Sequence, residues 1–328
     1  MTSSPPSASS FASHRPMYPE PPVTRIAMPT PPGACSVRRG AILRSRCSCG
    51  LISPRAWRRL RLTGVRIGLI SDFEGCAASL EVGLQVCRDE GADLIVHAGD
   101  ILEVPLSRDP PAETIDRLRD SGAFAIPGNH DRWLLDYGTP RWPTTAWMRL
   151  RRRDPLFREE DLPGRIAFWE ERLIAGQAAI RAHDRAWLAD LPEERTLDLG
   201  AAGRVYICHG MPGNPFNSIW PTASPWNDNV GSDDIRAAEM LVRMADPGII
   251  LCGHAPDPIQ CETRGAHGRA IPVVRAGRRI VVGSRWLAGV AILTAQPGAA
   301  EPWRIEHGWH EYTPRDPTAR MRFARLSD

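Results

Sequence analysis

The chain has 328 residues, enough for one large domain or two of ordinary size, so it does not need a disulfide framework or a structural metal to fold. Hydrophobic residues make up 42% of the chain and charged residues 24%, which excludes a wholly disordered or fibrous protein. Its apolar runs are far shorter than the ~20 residues that span a bilayer, so we expect no membrane partner. The eight cysteines follow no paired spacing, which favours a cytoplasmic location.

The two ends of the chain differ in composition from its middle. Residues 1–64 carry ten arginines and one acid, Glu20, a net charge of +9 that leaves −6 for the rest because the whole chain is +3. The segment up to Cys35 is rich in Ser and Pro, so we predict that residues 1–64 form a disordered Ser/Pro/Arg-rich extension. Its arginines fit either a patch for nucleic acid or anionic lipid, or an upstream extension without function. Residues 313–328 are predicted to be a basic tail.

Three apolar runs after residue 64 each end in polar residues. The predicted strands are 65–71, 93–98 and 123–126, and the predicted helices that follow the first two are 77–88 and 112–120. The runs end at Asp72, at Gly99-Asp100 and at Pro127-Gly128-Asn129-His130-Asp131. Open α/β sheets build their ligand sites at the carboxyl ends of strands, so this repetition predicts a site.

Two later strands, 204–208 and 248–252, follow the same pattern and end in His209 and Gly253-His254. Helix caps, turns or core packing would explain each polar residue alone, but their joint occurrence at strand ends favours a metal site. Carboxylate, amide and imidazole donors suit Mn, Fe, Zn or Mg rather than a structural zinc site. The candidate residues are Asp72, Glu74, Asp100, Asn129, His130, His209 and His254.

The motifs SDFEG, AGD, GNHD, CHG and CGH occur in one fixed order along the chain. In this order and spacing the chain resembles the calcineurin-like metallophosphoesterases, most closely the short bacterial type related to phosphodiesterases. The resemblance covers about residues 65–312 and implies an α/β fold, a four-layer α-β-β-α sandwich with two central mixed sheets. It also implies two divalent ions (Mn, Mg, Fe or Zn), with Asp100 bridging them, Asp72 on the first, and Asn129, His209 and His254 on the second.

The resemblance implies roles for other residues as well. His130 would stabilise the transition state or protonate the leaving oxygen, with Asp131 orienting its ring. Apart from the resemblance, Arg132 and Arg285 are candidate contacts to a substrate phosphate, and Arg285 fits an exposed arginine at the end of a sheet equally well. Two cations about 3.5–4 Å apart would neutralise the phosphate oxygens and convert a bridging water to hydroxide. The implied activity is hydrolysis of a phosphomonoester or phosphodiester through a metal-bound hydroxide, and a nucleotide or nucleic acid stays open as the substrate.

Two departures from the family pattern concern the first metal. The usual D-x-H is Asp72-Phe73-Glu74 here, and the usual G-H-x-H is Gly253-His254-Ala255-Pro256. Glu74 is still a candidate ligand and favours a harder ion such as Mg²⁺ or Mn²⁺, whereas Pro256 has no side-chain donor. We therefore expect a first site that is weak or empty. The alternative function is a catalytically silent protein that keeps the fold as a binding or scaffold module.

The remaining segments give coarser expectations. Residues 133–191 are predicted to be a helical, Trp-rich insertion, with one or two helices over 166–191 that cap the metal edge or simply join the core. Residues 213–231 are predicted to be a long loop. Alternating patterns over 271–274, 279–283 and 289–293 predict antiparallel strands that complete the second sheet. The sequence gives no indication of oligomeric state.

Overall fold

Two mixed β-sheets with helices on their outer faces form the centre of the molecule. The structure is a computed structural model that describes residues 65–103, 109–142, 162–220, 231–299 and 302–315, with side chains from 170 onward in the third range. All of these residues belong to one compact unit. The predicted extension 1–64, the tail beyond residue 315 and most of the second half of the predicted loop lie outside the described residues.

The described residues form eleven strands and six α-helices. The strands are β1 (Arg66–Ile70), β2 (Leu94–His97), β3 (Phe124–Ala125), β4 (Arg195–Asp198), β5 (Arg204–Ile207), β6 (Ile249–Cys252), β7 (Ile259–Arg264), β8 (Ala270–Arg275), β9 (Ile280–Val282), β10 (Arg285–Ala295) and β11 (Trp303–Tyr312). The helices are α1 (Ala77–Asp89), α2 (Pro111–Asp120), α3 (Asn129–Asp136), α4 (Leu162–Ala179), α5 (Ala182–Asp190) and α6 (Ser232–Ala245).

Parallel strands form the middle of both sheets. The first sheet has the order β11-β10-β1-β2-β3, with β9 also paired to β10. Within it β1, β2 and β3 are parallel, while β10 is antiparallel to β1, with Leu69 opposite Ala291. The second sheet has the order β4-β5-β6-β8-β7, in which β5, β6 and β8 are parallel and the outer strands β4 and β7 are antiparallel. The carboxyl ends of β1–β3 and of β5 and β6 carry the candidate residues.

The side-chain period of two along the strands separates three apolar layers. Ile67 and Leu69 of β1 pack with Val205 and Ile207 of β5 between the two sheets. On the other face of the first sheet, Ile70 packs with residues of α1, α2 and α5. On the outer face of the second sheet, residues of β6 and β8 pack against Ala238 and Val242 of α6. The predicted arrangement of helix, sheet, sheet and helix is confirmed.

The prediction that three late strands complete the second sheet is wrong for two of them. Only β8 lies in the second sheet, whereas β9 and β10 lie in the first. Of the eleven residues of β10, all but Arg285 and Thr294 are buried, as expected of a strand covered on both faces. Strand β10 pairs with β1 along one edge and with β11 along the other. The sequence pattern did not predict β11 as a strand.

The region of the predicted insertion contains helices wherever it is described. Two helices, α4 and α5, occupy 162–190 and are separated at Ile180 and Arg181. Trp133 is buried in the core on the helix side of the first sheet, and Trp142 and Trp187 pack against the same core. Trp147 and the basic run 149–153 lie outside the described residues. Among the helices that the structure does describe, none is long and apolar enough to cross a membrane.

The contact between β1 and α1 can be tested at Gly68. A Cβ at this position would lie 2.4 Å from the Sγ of Cys87, so Gly68→Ala forces the strand or the helix to shift. We expect this substitution to lower the free energy of unfolding by about 1–3 kcal/mol. Gly248→Ala is the matched control, because its Cβ would meet no atom closer than 3.5 Å, and we expect a change within about 0.5 kcal/mol. Urea denaturation measures both; equal losses would contradict the described packing.

Candidate metal centre

The carboxyl ends of five strands meet where the two sheets face each other. Backbone hydrogen bonds join the loops that follow β1 and β2: the Asp72 N–H donates to Gly99 O (3.0 Å) and the Glu74 N–H donates to Asp100 O (3.0 Å). In the second sheet, the Gly253 N–H donates to the carbonyl of His209 (2.8 Å). The two sheets are connected at this point, because the His254 N–H donates to Asp72 Oδ2 (3.1 Å).

Five of the predicted ligands form one cluster. Asn129 Oδ1 lies 2.9 Å from His209 Nε2 and 2.7 Å from His254 Nδ1. Asp100 Oδ1 lies 3.4 Å from the same His209 nitrogen. Ligand atoms of Asp72, Asp100 and His209 all lie within 4.8 Å of one another, and all three residues are buried. Residues separated by up to 182 positions in the chain are thus brought to one place.

The contacts of His209 test whether a cation fits this cluster. Its Nδ1 lies 2.7 Å from the carbonyl of Ala98, which can only accept, so Nδ1 carries the proton. In the neutral ring Nε2 then carries a lone pair, which faces Asn129 Oδ1 and Asp100 Oδ1. Three acceptors at this separation repel one another unless a proton or a metal ion lies among them. An imidazole with its other nitrogen bonded to a backbone carbonyl is the usual form of a metal-ligating histidine, so the residues fit a metal ion.

The charges of the cluster are strongly coupled. Burial raises the pKa of Asp72 to about 7. Burial acts on Asp100 in the same direction, but the imidazoles of His130 and His209 outweigh it and lower the pKa of this carboxyl well below its usual range. Burial lowers the pKa of His209, yet the Asp100 and Asp72 carboxylates outweigh burial and raise it to about 9. Burial and the neighbouring His209 lower the pKa of His254 to about 3, which leaves that ring neutral at pH 7.

The backbone of the cluster is strained. Asp72 (φ 58°), Glu74 (φ 50°), Asp100 (φ 53°) and His254 (φ 73°) are four of the six non-glycine residues with positive φ in the described ranges. A left-handed conformation costs such residues about 1–3 kcal/mol each, and it persists where the surrounding structure fixes it. Strain of this kind clusters at functional sites, which supports a functional role for the cluster.

Two motif glycines make room for the acidic and imidazole side chains. A Cβ on Gly128 would lie 2.1 Å from Asp100 Oδ1, and one on Gly99 would lie 2.3 Å from His209 Nδ1. Gly99 also has a φ of 95°, which other residues rarely adopt. These glycines are therefore required by the close approach of backbone and side chains in the cluster.

His130 lies at the rim of the cluster and is half-buried. The backbone N–H of His130 donates to Asp100 Oδ1 (2.9 Å), and its ring Nε2 lies 3.9 Å from Asp100 Oδ2. The ring stacks on Trp133 with centroids 5.0 Å apart. Burial lowers the pKa of His130, but the carboxylates of Asp100 and Glu74 outweigh burial and raise it above its ordinary value. The ring is thus held in place and favoured in its protonated form.

The structure gives Asp131 a different role from the predicted orientation of the His130 ring. Its carboxylate accepts hydrogen bonds from the N–H groups of Gly128 (2.8 Å), Ile101 (3.0 Å) and Leu102 (2.9 Å). Asp131 is the third residue of α3, and a carboxylate at this position turns back to the start of the helix. It therefore positions the loop that carries Asp100 and does not hold the imidazole.

Glu74 has a partner that sequence reasoning missed. Its Oε2 accepts a hydrogen bond from Arg279 Nη2 (2.9 Å), which also donates to Glu103 Oε2 (2.8 Å). The ligand atoms of Glu74, Asp100 and His130 still lie within 4.8 Å of one another, so Glu74 borders the cluster. The only signal in the sequence was an acidic residue in place of a neutral ligand, and such a residue requires a nearby cation when it is buried.

The two arginines predicted to bind substrate are paired with carboxylates outside the cluster. Arg132 is buried, and its Nη2 donates to Asp136 Oδ1 (2.5 Å). Arg285 begins β10 with a side chain that is 61% exposed, and its Nε donates to Glu311 Oε2 (3.1 Å). A role for either residue in substrate binding stays a prediction.

The fold and the cluster define an α/β sandwich protein with a candidate metal centre between its sheets. A family model described as calcineurin-like phosphoesterase matches residues 65–279, more than half of the chain, and the chain belongs to that family. The predicted resemblance is confirmed. A search of curated proteins found no match.

Solved structures similar to this chain include a metallophosphoesterase from Sphaerobacter thermophilus, with 19% identity, 76% of this chain and 90% of that chain covered, and a TM-score of 0.43. The phosphoesterase YfcE from E. coli matches with 14% identity, 71% and 94% coverage and a TM-score of 0.32. Vps29 from Chaetomium thermophilum matches with 10% identity, 78% and 98% coverage and a TM-score of 0.31.

The raised pKa of His209 predicts a pH dependence of stability for the protein treated with a chelator. The folded state holds the His209 proton up to a pKa of about 9, compared with about 6.5 in the unfolded chain. The stability from this proton is fully present below pH 6.5 and is lost as the pH rises through 9, so the free energy of unfolding should fall over that window.

Urea denaturation at pH 7 and pH 9 measures this fall. His209→Asn should reduce it, whereas His183→Asn, at a side chain that is 63% exposed, should leave it unchanged. A free energy of unfolding that rises between the two pH values would contradict the described contacts of His209.

Proposed function

We propose that the protein is a metal-dependent hydrolase of phosphate esters, acting on a phosphomonoester or a phosphodiester. The observation that carries the proposal is that Asn129 Oδ1 lies within 2.9 Å of both His209 Nε2 and His254 Nδ1, beside the buried Asp100 carboxylate. Membership of the calcineurin-like phosphoesterase family supports the same reaction class.

The proposed metal ligands are Asp72, Asp100, Asn129, His209 and His254. Carboxylate, amide and imidazole donors suit Mn²⁺, Mg²⁺, Fe or Zn²⁺, and manganese is the ion we propose to test first. When bound, such a cation polarises phosphate oxygens and lowers the pKa of a coordinated water. The protein prepares the site by fixing the His209 tautomer through Ala98 and by keeping His254 neutral.

His130 is the proposed general acid. Hydrolysis of a phosphate ester leaves an alkoxide, which departs readily only if it receives a proton. The raised pKa of His130 keeps a proton available near pH 7, and its Nε2 lies on the side of Asp100, at the edge of the proposed metal ligands. Stacking on Trp133 restricts the ring, so the proton is held at one position.

We place this activity in the cytoplasm. The described cysteines, Cys76, Cys87, Cys208, Cys252 and Cys261, are all free, and the first four are buried. Reduced buried thiols are typical of a reducing compartment.

Hydrolysis of p-nitrophenyl phosphate and bis-p-nitrophenyl phosphate with Mn²⁺, Mg²⁺, Zn²⁺ or Ni²⁺ tests the proposal. We expect turnover that is lost in Asp100→Asn, because this change removes an anionic ligand from the centre of the cluster. His130→Ala should lower kcat by about 10²–10⁴-fold, the usual effect of removing a general acid.

Matched substitutions control for general effects of mutation. Asp233→Asn changes a side chain that is 90% exposed on α6, and His183→Ala changes one that is 63% exposed on α5; both should retain full activity. Full activity in Asp100→Asn would contradict the proposed assignment of the metal ligands. The absence of turnover with every metal and both substrates would favour the catalytically silent binding module.

A further inference from the structure

The two departures from the family pattern, Glu74 and Pro256, lie beside the same pair of arginines. Arg279 Nη2 donates to Glu74 Oε2 at 2.9 Å, and Arg278 Nη1 lies 3.7 Å from Glu74 Oε1. The backbone N–H of Arg278 donates to the carbonyl of Pro256 at 3.1 Å. The Glu74 position, where the family pattern has one first-site imidazole, is therefore next to two guanidinium groups in this chain, whereas Pro256 contacts the backbone of Arg278.

The contact between Arg279 and Glu74 is inside the protein. Arg279 is 1% exposed and Glu74 is 5% exposed, and Glu103 Oε2 is a second acceptor for the same Nη2 at 2.8 Å. A guanidinium stays charged in proteins, so its burial requires carboxylates in contact with it. The Glu74 carboxylate is thereby committed to neutralising Arg279.

Few side-chain donors are then left for a first metal ion. Asp72 and Asp100 are available, His130 has the proposed role of general acid, Glu74 is paired, Pro256 has no donor, and Asp257 is exposed. Catalytic metal sites ordinarily use three protein ligands. A cation beside Glu74 would also be repelled by the nearby guanidinium. The second position is different, because a carboxylate, an amide and two imidazoles meet there.

We propose that the Arg279 guanidinium is a permanent cation in the place of the first metal, and that the chain binds one divalent ion. The inference rests on the proposed function, because it concerns the same centre. In this arrangement the single positive charge of the guanidinium stands where a first divalent ion would bring two, and a chelator cannot remove it.

The experiment counts metal ions on the purified full-length chain. Calorimetric titration with Mn²⁺ and elemental analysis after desalting should both give one ion per chain, and the electron paramagnetic resonance spectrum should show the hyperfine pattern of a mononuclear ion. Asp100→Asn should lose the bound ion. Two ions per chain in the wild type, for example with one on Glu74, Asp100 and His130, would overturn this inference alone.

A chain without any bound metal would overturn the proposed function and this inference together.

The gain of a site is the converse test: Glu74→His and Pro256→His combined with Arg279→Gln should raise the number of bound ions per chain to two. If that variant is folded by circular dichroism and still binds one ion, the inference fails. Two controls should keep one ion: Arg279→Lys retains the buried charge, and Arg236→Gln removes an arginine whose side chain is 69% exposed.

Discussion

Three buried carboxylates lie where the two sheets meet, and their burial is costly unless positive charge faces them. Asp72, Glu74 and Asp100 are each at most 5% exposed. Arg279 neutralises Glu74 on one side, while the imidazoles of His130 and His209 face Asp100 on the other. This requirement for charge compensation explains why the strand ends carry basic and metal-ligating groups together.

The same requirement explains the local strain. The left-handed conformations of Asp72, Asp100 and His254 aim their side chains at one point, and Gly99 and Gly128 leave the backbone room to approach. Each strained residue costs the fold about 1–3 kcal/mol. The three apolar layers around the sheets hold these loops in position, so the sandwich stabilises a centre that its own local sequence would not favour.

The sequence predicted those features of the fold and site that depend on neighbouring residues. Apolar runs followed by Asp72, Asp100 or His209 identify strand ends, because strands and their terminal residues are contiguous. The family resemblance then identified the two-sheet fold and predicted that these ends meet. The shared oxygen of Asn129 between two imidazoles agrees with that convergence, although the role of each residue as a ligand is still a proposal.

Other features depend on contacts that local patterns do not record. Alternation marked β10 as a strand but did not indicate that it pairs with β1 in the first sheet. Asp131 was adjacent to His130 in sequence, yet its position in α3 directs its carboxylate to the backbone of residues 101 and 102. The ion pair between Arg279 and Glu74 spans 205 positions and has no signal in either segment alone.

The most direct test of the central claim is anomalous diffraction from crystals of the protein grown with Mn²⁺. The account predicts a manganese peak about 2.0–2.3 Å from donor atoms of Asn129, His209 and His254, with Asp100 in contact with the same ion. Crystals that contain manganese elsewhere, with Asn129, His209 and His254 bonded only to one another, would contradict it.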